Sequence, residues 1–437
     1  MSGEQIRKSS MSRGLQAAGL SLAGLAMILP ALVQAQERGP VGPRLILDIR
    51  QLIETDSNYD LSLSPGGRST YADTLLSLTF LDETPNQRLS LATSGALRAS
   101  HGPGFGSEGS GFVRPSIAFA YGREGAGSSL DLNARAQETE IDFVRDLADL
   151  DDGGVIEIPD DISDLTGTGT RRSLSADVAL RWRQDTPLGF GVLAGISDTS
   201  YHDASSTSLH DFRRAWLGVS AQMLLDKITS VNLDLRNTHY TSDDPLNTNL
   251  DTLTFSADLV REFPAGSLTG QAVASRTDEG NRYDLSIGGS REFPLGVVSA
   301  SIGATHMASG HTGLIGGANL NYELPRSIVT ASLQRTVLTD NDDSERLFTM
   351  FSLGLVQELT PRSLFSVDMF YAISDASFTG GQDVDTASLT ATYSYDVTED
   401  WGLNLGYRHR LRKEGGQPNV NSNAVFVSLG RSFEFRP

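Results

Sequence analysis

The sequence predicts an all-β fold: a closed, transmembrane, antiparallel β-barrel of about 20 strands. Apolar and polar residues alternate in runs of about 10 residues, the length that a tilted membrane strand needs. Along roughly 400 residues, the connections between these runs are alternately short turns and longer polar segments. No segment after the N-terminus reaches the roughly 18 apolar residues of a spanning helix. An exported chain of this kind crosses a bilayer only as a closed barrel, because lipid offers no partner for open backbone groups.

The N-terminus predicts export. Residues 1–35 combine a basic start, a largely apolar stretch and small residues that end at Ala35, which is typical of a cleaved secretory signal peptide. An uncleaved membrane helix is the alternative, but Pro30 and the cleavage motif end the segment. Residues 36–437 are then expected to form one barrel domain, with no linker that divides it.

A repeated turn pattern predicts the hairpins. An alternating run ends in an acidic residue, a few turn residues follow, and a second run begins. The nine occurrences lie at 81–89, 121–130, 183–190, 224–231, 261–268, 291–298, 322–329, 357–364 and 395–403. Longer polar connections lie between them, and short turns with longer loops on the other side are typical of barrels with periplasmic turns. Nine hairpins, a first strand near 44–52 and a last strand make 20; an 18-stranded barrel with a different start is the alternative.

Aromatic residues gather near the short turns, as a girdle at one membrane interface would require. They are Phe80, Trp182, Phe190, Phe263, Phe293, Tyr322, Tyr395, Trp401, Phe433 and Phe435. A soluble β-sandwich also alternates, so alternation alone does not decide between the two folds.

The C-terminus resembles the assembly signal of Gram-negative outer-membrane β-barrels. The residues that carry this resemblance are Ser428, Gly430, Phe433 and Phe435. The resemblance implies a porin-like barrel in the outer membrane, with a last strand that the barrel-assembly machinery reads and that pairs with the first strand. One departure is that Arg436 and Pro437 follow the final aromatic residue, whereas many family members end on it.

Composition excludes several function classes. The formal net charge of −19 argues against nucleic-acid binding, and the absence of cysteine excludes disulfides and thiol chemistry. The histidines and serines of the polar loops lack the context of a catalytic nucleophile or the spacing of a metal site. We therefore expect no enzyme activity, no cofactor and no metal.

One long acidic connection, 138–168, is the candidate for a constriction loop. It is the third loop, the one that porins fold into the lumen, and crowded carboxylates in a pore favour cations. Its candidate residues are Glu138, Glu140, Asp142, Asp146, Asp149, Asp151, Asp152, Glu157, Asp160 and Asp161. A solvated external loop is the alternative. Arg171, Arg172 and Arg181 are the candidate basic residues of the lumen.

Together these features predict a water-filled, cation-favouring pore for ions or small polar solutes. The expected partners are the outer-membrane lipid bilayer, the assembly machinery during insertion, and the solute itself; an oligomer is compatible with the sequence. A non-conducting or partner-gated barrel, either of an export system or structural, is the alternative. The sequence names neither the solute nor a partner.

Overall fold

The computed structural model describes residues 42–103, 110–141, 169–204, 209–244, 249–277, 280–339, 345–375 and 383–436. The predicted signal peptide and most of the 138–168 connection lie outside these residues. Among the described residues, no helix has the length and apolar character needed to cross a membrane.

The described residues form a single antiparallel sheet of 20 strands. The first ten are β1 (Gly42–Asp56), β2 (Ser69–Thr84), β3 (Gln87–His101), β4 (Gly111–Gly125), β5 (Ser128–Glu140), β6 (Thr170–Trp182), β7 (Leu188–His202), β8 (Phe212–Leu224), β9 (Thr229–Ser242) and β10 (Asn249–Phe263). The second ten are β11 (Gly266–Arg276), β12 (Asn281–Phe293), β13 (Gly296–His306), β14 (Thr312–Leu324), β15 (Ser327–Thr339), β16 (Glu345–Thr360), β17 (Ser363–Asp375), β18 (Val384–Asp396), β19 (Trp401–Glu414) and β20 (Val420–Phe435).

The sheet closes on itself at the pairing of the first and last strands. Each strand pairs with its neighbours in sequence, and β20 pairs with β1 from Leu45↔Phe435 to Asp56↔Ala424. The prediction of 20 strands is confirmed and the 18-stranded alternative is wrong. The first strand is longer than predicted, because it continues past Leu52 through Glu54 and Asp56.

The nine predicted tight turns are confirmed. They join β2 to β3, β4 to β5, and so on to β18 and β19, and they all lie at one end of the barrel. The described parts of the longer connections lie at the other end. Strands of 11 to 16 residues, rising about 3.3 Å per residue and tilted by about 45°, span roughly 30 Å of hydrocarbon.

The two faces of the strands differ as a membrane barrel requires. The outer face exposes large apolar side chains such as Leu217, Leu285 and Ile302, which are 60%, 65% and 63% exposed. All ten aromatic residues of the predicted girdle fall on this face by alternation and register. Gln51, which interrupts the apolar alternation of β1, also points outward, where its Oε1 accepts a 2.7 Å hydrogen bond from the Thr74 hydroxyl. That bond pairs the Gln51 carbonyl oxygen with the Thr74 hydroxyl on a lipid-facing surface, which lowers the cost of placing Gln51 there.

Candidate functional site on the inner face

A row of carboxylates occupies the inner face at the short-turn end. We call them the mouth carboxylates: Glu83, Glu124, Glu262, Glu292, Glu323, Glu358, Asp396 and Glu434. Each is the last inward-facing acidic position before a turn or the C-terminus. They come from eight of the ten even-numbered strands; β6 and β8 lack one. The acidic residue of the sequence repeat is therefore brought into a ring.

A shared backbone contact places these residues equivalently. The N–H groups of Glu262 and Glu292 donate to carbonyl groups of the preceding short turn, at Ile228 and Ala265, with N–O distances of 2.7 and 2.9 Å. The same contact recurs at four further mouth carboxylates, which are Glu124, Glu323, Glu358 and Asp396. Because each hairpin repeats this contact with its predecessor, six of the carboxylates share one position relative to the turns.

Most of the mouth carboxylates lack a cationic partner. Glu83 pairs with Arg44 at 3.0 Å and Arg88 at 3.2 Å, and Glu434 pairs with Arg436 at 2.9 Å. The other six have no ion pair within 4 Å among the described residues. This end of the inner face therefore carries uncompensated negative charge.

Between its middle and the short-turn end, the inner wall beside β5 and β6 is polar and electrically mixed. Arg181 donates to Asp131 at 3.1 Å, and Asn133 donates to Asp177 at 3.0 Å. Strand register aligns Arg181 of β6 with Asp234 of β9, and the small residues Gly191 of β7 and Ser220 of β8 lie between them. A wall of this kind suits water, and unlike the mouth it does not favour one sign of charge.

At the end of the barrel that carries the longer connections, the inner face holds a buried ion-pair network centred on Arg98. Its Nε and Nη2 donate to the two carboxylate oxygens of Asp73 at 2.8 and 2.9 Å, and both side chains have an exposed fraction of zero. Its Nη1 donates to both oxygens of Glu140 at 2.9 and 2.8 Å. Arg114 lies where the register of β4 against β3 shifts, adopts a left-handed φ of 53°, and donates to Asp73 at 2.5 Å. Among the described residues, Arg98 and Arg114 supply the positive charge and Asp73 and Glu140 the negative charge, so removal of either arginine leaves part of this carboxylate charge uncompensated.

The first long connection, residues 57–68, folds onto this network. Tyr59 donates its hydroxyl to Glu140 at 2.9 Å and accepts from Arg98 at 3.3 Å. Its ring meets Tyr71 edge-on, with the centroids 5.8 Å apart. Because Tyr71 and Arg98 lie on the inner face, this loop lies inside the barrel wall.

A second set of contacts ties the same loop to the last strands. Arg410 of β19 donates to Asp56 at 2.6 Å and to the Tyr59 carbonyl at 3.1 Å. The Asn58 amide donates to the Asn421 carbonyl of β20 at 3.2 Å. The loop therefore bridges both sides of the β1–β20 junction.

The protonation state of Tyr59 is set by its surroundings. Burial raises the pKa of the Tyr59 phenol well above its usual value, and the neighbouring Glu140 carboxylate raises it further against the opposing effect of Arg98. The phenol is consequently a neutral hydrogen-bond donor at physiological pH.

The structure places only part of the predicted constriction residues. Strand β5 runs to Glu140, so Glu138 and Glu140 are strand residues and the connection begins later than predicted. Glu138 lies opposite Arg172 on the outer face and pairs with it at 2.8 Å, so the prediction that Glu138 lines a constriction is wrong. Glu140 joins the Arg98 network. The eight remaining candidates lie outside the described residues: Asp142, Asp146, Asp149, Asp151, Asp152, Glu157, Asp160 and Asp161.

The three candidate lumen arginines divide between the two faces. Arg181 and Arg171 share the inner face of β6 by alternation. Arg172 lies on the same face as Leu174, an outward-facing apolar residue whose exposed fraction is 52%. The prediction that Arg172 faces the lumen is therefore wrong, because the strand begins at Thr170 and its period of two carries Arg172 outward.

The residues of the assembly-signal resemblance fall on alternate faces of β20. Ser428 and Gly430 point inward, opposite Leu52 and Arg50 of β1, whereas Phe433 and Phe435 point outward, opposite Leu47 and Leu45. Sequence reasoning missed the inward loop at 57–68. The one signal was the run of Glu54, Asp56 and Tyr59 after an alternating strand, which resembles an ordinary polar loop. Among the described residues, no group of three or more acidic or histidine side chains could hold a metal ion.

Comparison with solved structures agrees with this architecture. The siderophore receptor PirA from Pseudomonas aeruginosa matches with a TM-score of 0.50 at 10% identity, over 91% of this chain and 81% of the receptor. The ferric enterobactin receptor PfeA from the same organism matches with a TM-score of 0.51 at 10% identity, over 90% of this chain and 82% of that one. The fold is that of a bacterial outer-membrane β-barrel. OpdQ from Pseudomonas aeruginosa gives a weaker match, with a TM-score of 0.40 at 9% identity over 90% and 99% of the two chains.

These likenesses establish the fold of this outer-membrane barrel and nothing finer, because identity is about 10%. No protein-family model matches the chain. No curated protein matches it either.

Proposed function

We propose that this outer-membrane barrel forms a water-filled pore that favours cations among ions and small polar solutes. The ring of mouth carboxylates is the observation that supports it. Six of these eight groups have no ion-pair partner among the described residues. Rings of acidic side chains in a pore lower the energy of a cation and raise that of an anion.

The rest of the inner face supports an aqueous path. Ser, Thr, Asn, Gly and charged side chains of both signs line the wall between the mouth and the Arg98 network. Barrels of 16 to 18 strands enclose an aqueous channel, and those of 22 strands a plugged lumen. This barrel has 20 strands and loop 57–68 docked on its inner wall, so its lumen is intermediate between an open channel and a plugged one. The mixed wall beside β5 and β6 gives no preferred sign, so we assign charge selection to the mouth.

Reversal potentials across a planar bilayer under a potassium chloride gradient test this proposal. We expect a cation-selective sign, stronger near 0.1 M than near 1 M salt, because the Debye length falls from about 10 Å to about 3 Å. Glu262→Gln combined with Glu292→Gln should move the reversal potential towards zero. Asp82→Asn is the matched control, because Asp82 lies beside Glu83 on the outer face of β2. An anion-selective sign, or equal shifts in the variant and the control, would overturn the proposal.

The alternative is a non-conducting or partner-gated barrel, and the docked loop 57–68 is the observation that favours it. Tyr59 and Asn58, 5% and 4% exposed, hold this loop against the wall instead of leaving it in solvent. Absence of conductance from folded protein in the same bilayers would support this alternative and count against the pore. In either case we propose that Gly430, Phe433 and Phe435 are read by the assembly machinery during insertion.

A further inference from the structure

A second charged feature lies on the outer face at the same end of the barrel. Arg261 of β10 and Arg291 of β12 stand two residues before Phe263 and Phe293, the last residues of their strands. Each guanidinium lies over the ring that follows it, with Cζ 5.8 and 5.5 Å from the centroids. Both phenylalanines belong to the outward girdle, so the two cations point away from the lumen.

The contact with the ring sets the depth of each cation. An arginine on a lipid-facing surface lays its aliphatic stem along apolar groups and carries its charge to the interface. Here the stem runs towards the short-turn end and stops over a girdle phenylalanine. Since girdle aromatics mark the level of the lipid headgroups, the two guanidinium groups lie at that level on the periplasmic side.

Strand geometry sets the spacing between the two cations. Arg261 is paired with Leu268 and Arg291 with Gly266, so one strand, β11, separates them. Two strand spacings of about 4.8 Å and an offset of two residues, about 7 Å, place their Cα atoms roughly 12 Å apart. Gly266 and Leu268, which is 58% exposed, lie between them on the outer face of β11.

Opposite charge is scarce on this part of the outer face. The intervening Glu262 and Glu292 alternate inward and belong to the mouth carboxylates. Asp226, in the β8–β9 turn, makes no ion pair with Arg261 within 4 Å. The hydrogen bond from the Ile228 N–H is the main cause that lowers the pKa of Asp226, and the charge of Arg261 lowers it by a smaller amount. A third arginine, Arg431, also stacks on the girdle, 4.5 Å from the Phe433 ring, but it is already paired with Asp400 at 3.0 Å.

We propose that Arg261 and Arg291 form a binding site for the phosphate headgroups of anionic phospholipid in the periplasmic leaflet. The apolar outer face supplies the surface for the acyl chains, and the two cations supply the charge that the phosphates require. Each arginine near a membrane surface strengthens such binding on the order of fivefold. The site is independent of whether the lumen conducts.

Native mass spectrometry of the full chain, refolded in detergent and titrated with phosphatidylglycerol, tests the site. Arg261→Gln with Arg291→Gln should reduce phosphatidylglycerol retention on the order of 25-fold and leave phosphatidylcholine retention unchanged. Arg431→Gln is the matched control and should cause a much smaller loss. A double Arg→Lys variant should recover most of the retention, since it restores the charge.

Three results would overturn the proposal. The first is equal phosphatidylglycerol retention in the Arg261→Gln, Arg291→Gln variant and the unaltered chain. The second is an equal loss for both lipids, which would indicate altered apolar packing. The third is displacement of the bound lipid by inorganic phosphate at millimolar concentration, which would indicate a site for free phosphate. A heat-dependent mobility shift in gel electrophoresis confirms that each variant is folded.

Discussion

Tyr59 is the residue whose removal should release loop 57–68 with the least damage to the barrel. Tyr59→Phe keeps the edge-on contact with Tyr71 and removes only the hydroxyl that joins Glu140 and Arg98 at 2.9 and 3.3 Å. A hydrogen bond to a charged group contributes about 1.5–3 kcal/mol, and every 1.4 kcal/mol is tenfold in the opening equilibrium. We therefore expect the loop to open at least about tenfold more often.

Limited proteolysis measures this opening. Arg68 is exposed at the end of the loop and offers trypsin a cleavage site before the buried Ser69. When closing is faster than cleavage, the cleavage rate follows the population of the open loop. Tyr59→Phe should therefore speed cleavage after Arg68 about tenfold or more. Leu63→Ala is the matched control, because Leu63 is in the same loop and 57% exposed. Equal rates in the two variants would refute the role assigned to the hydroxyl.

The pH dependence supplies an independent arm of this experiment. The folded-state pKa of Tyr59 is raised, so its contribution is fully present below the unfolded value of about 10 and is lost as pH rises through the folded value. Cleavage by an alkali-tolerant protease should begin to rise only above about pH 10 in the unaltered chain. Tyr59→Phe should not show that rise, since phenylalanine does not titrate.

Two further predictions concern packing and the seam. In urea unfolding, Gly406→Val should lower the free energy of unfolding by about 1–3 kcal/mol, because the Phe426 ring lies across Gly406 where a Cβ would stand. The control is Gly402→Val on the same face of β19. A Cβ at Gly402 meets nothing within 4 Å, so this variant should be nearly neutral. Replacing Phe433 and Phe435 by alanine should impair insertion in cells, measured as folded barrel in isolated membranes. Removal of the two residues after Phe435 should leave insertion intact, and similar amounts of folded barrel from both variants would contradict the signal.

Local pattern was sufficient to predict the barrel, because closure of this sheet depends on alternation and turn chemistry that recur in every hairpin. The repeated acidic residue before each short turn was visible in the sequence, but its convergence into a ring depends on register. Arg172 illustrates the limit: a shift of one residue in the strand start moves a side chain to the other face. Tyr59 illustrates another, because its partners Arg98 and Glu140 lie 39 and 81 residues away in sequence.

The position of loop 57–68 has a consequence for the order of assembly. Its partners Arg410 and Asn421 lie 351 and 363 residues from it in sequence, on the last two strands. The loop can therefore complete its contacts only after β20 has met β1. Until then Arg98 lacks the contact with the Tyr59 hydroxyl that the docked loop supplies. Docking of this loop is thus a late event that links β1 to the last two strands. Protection of the loop from protease reports whether the barrel has closed.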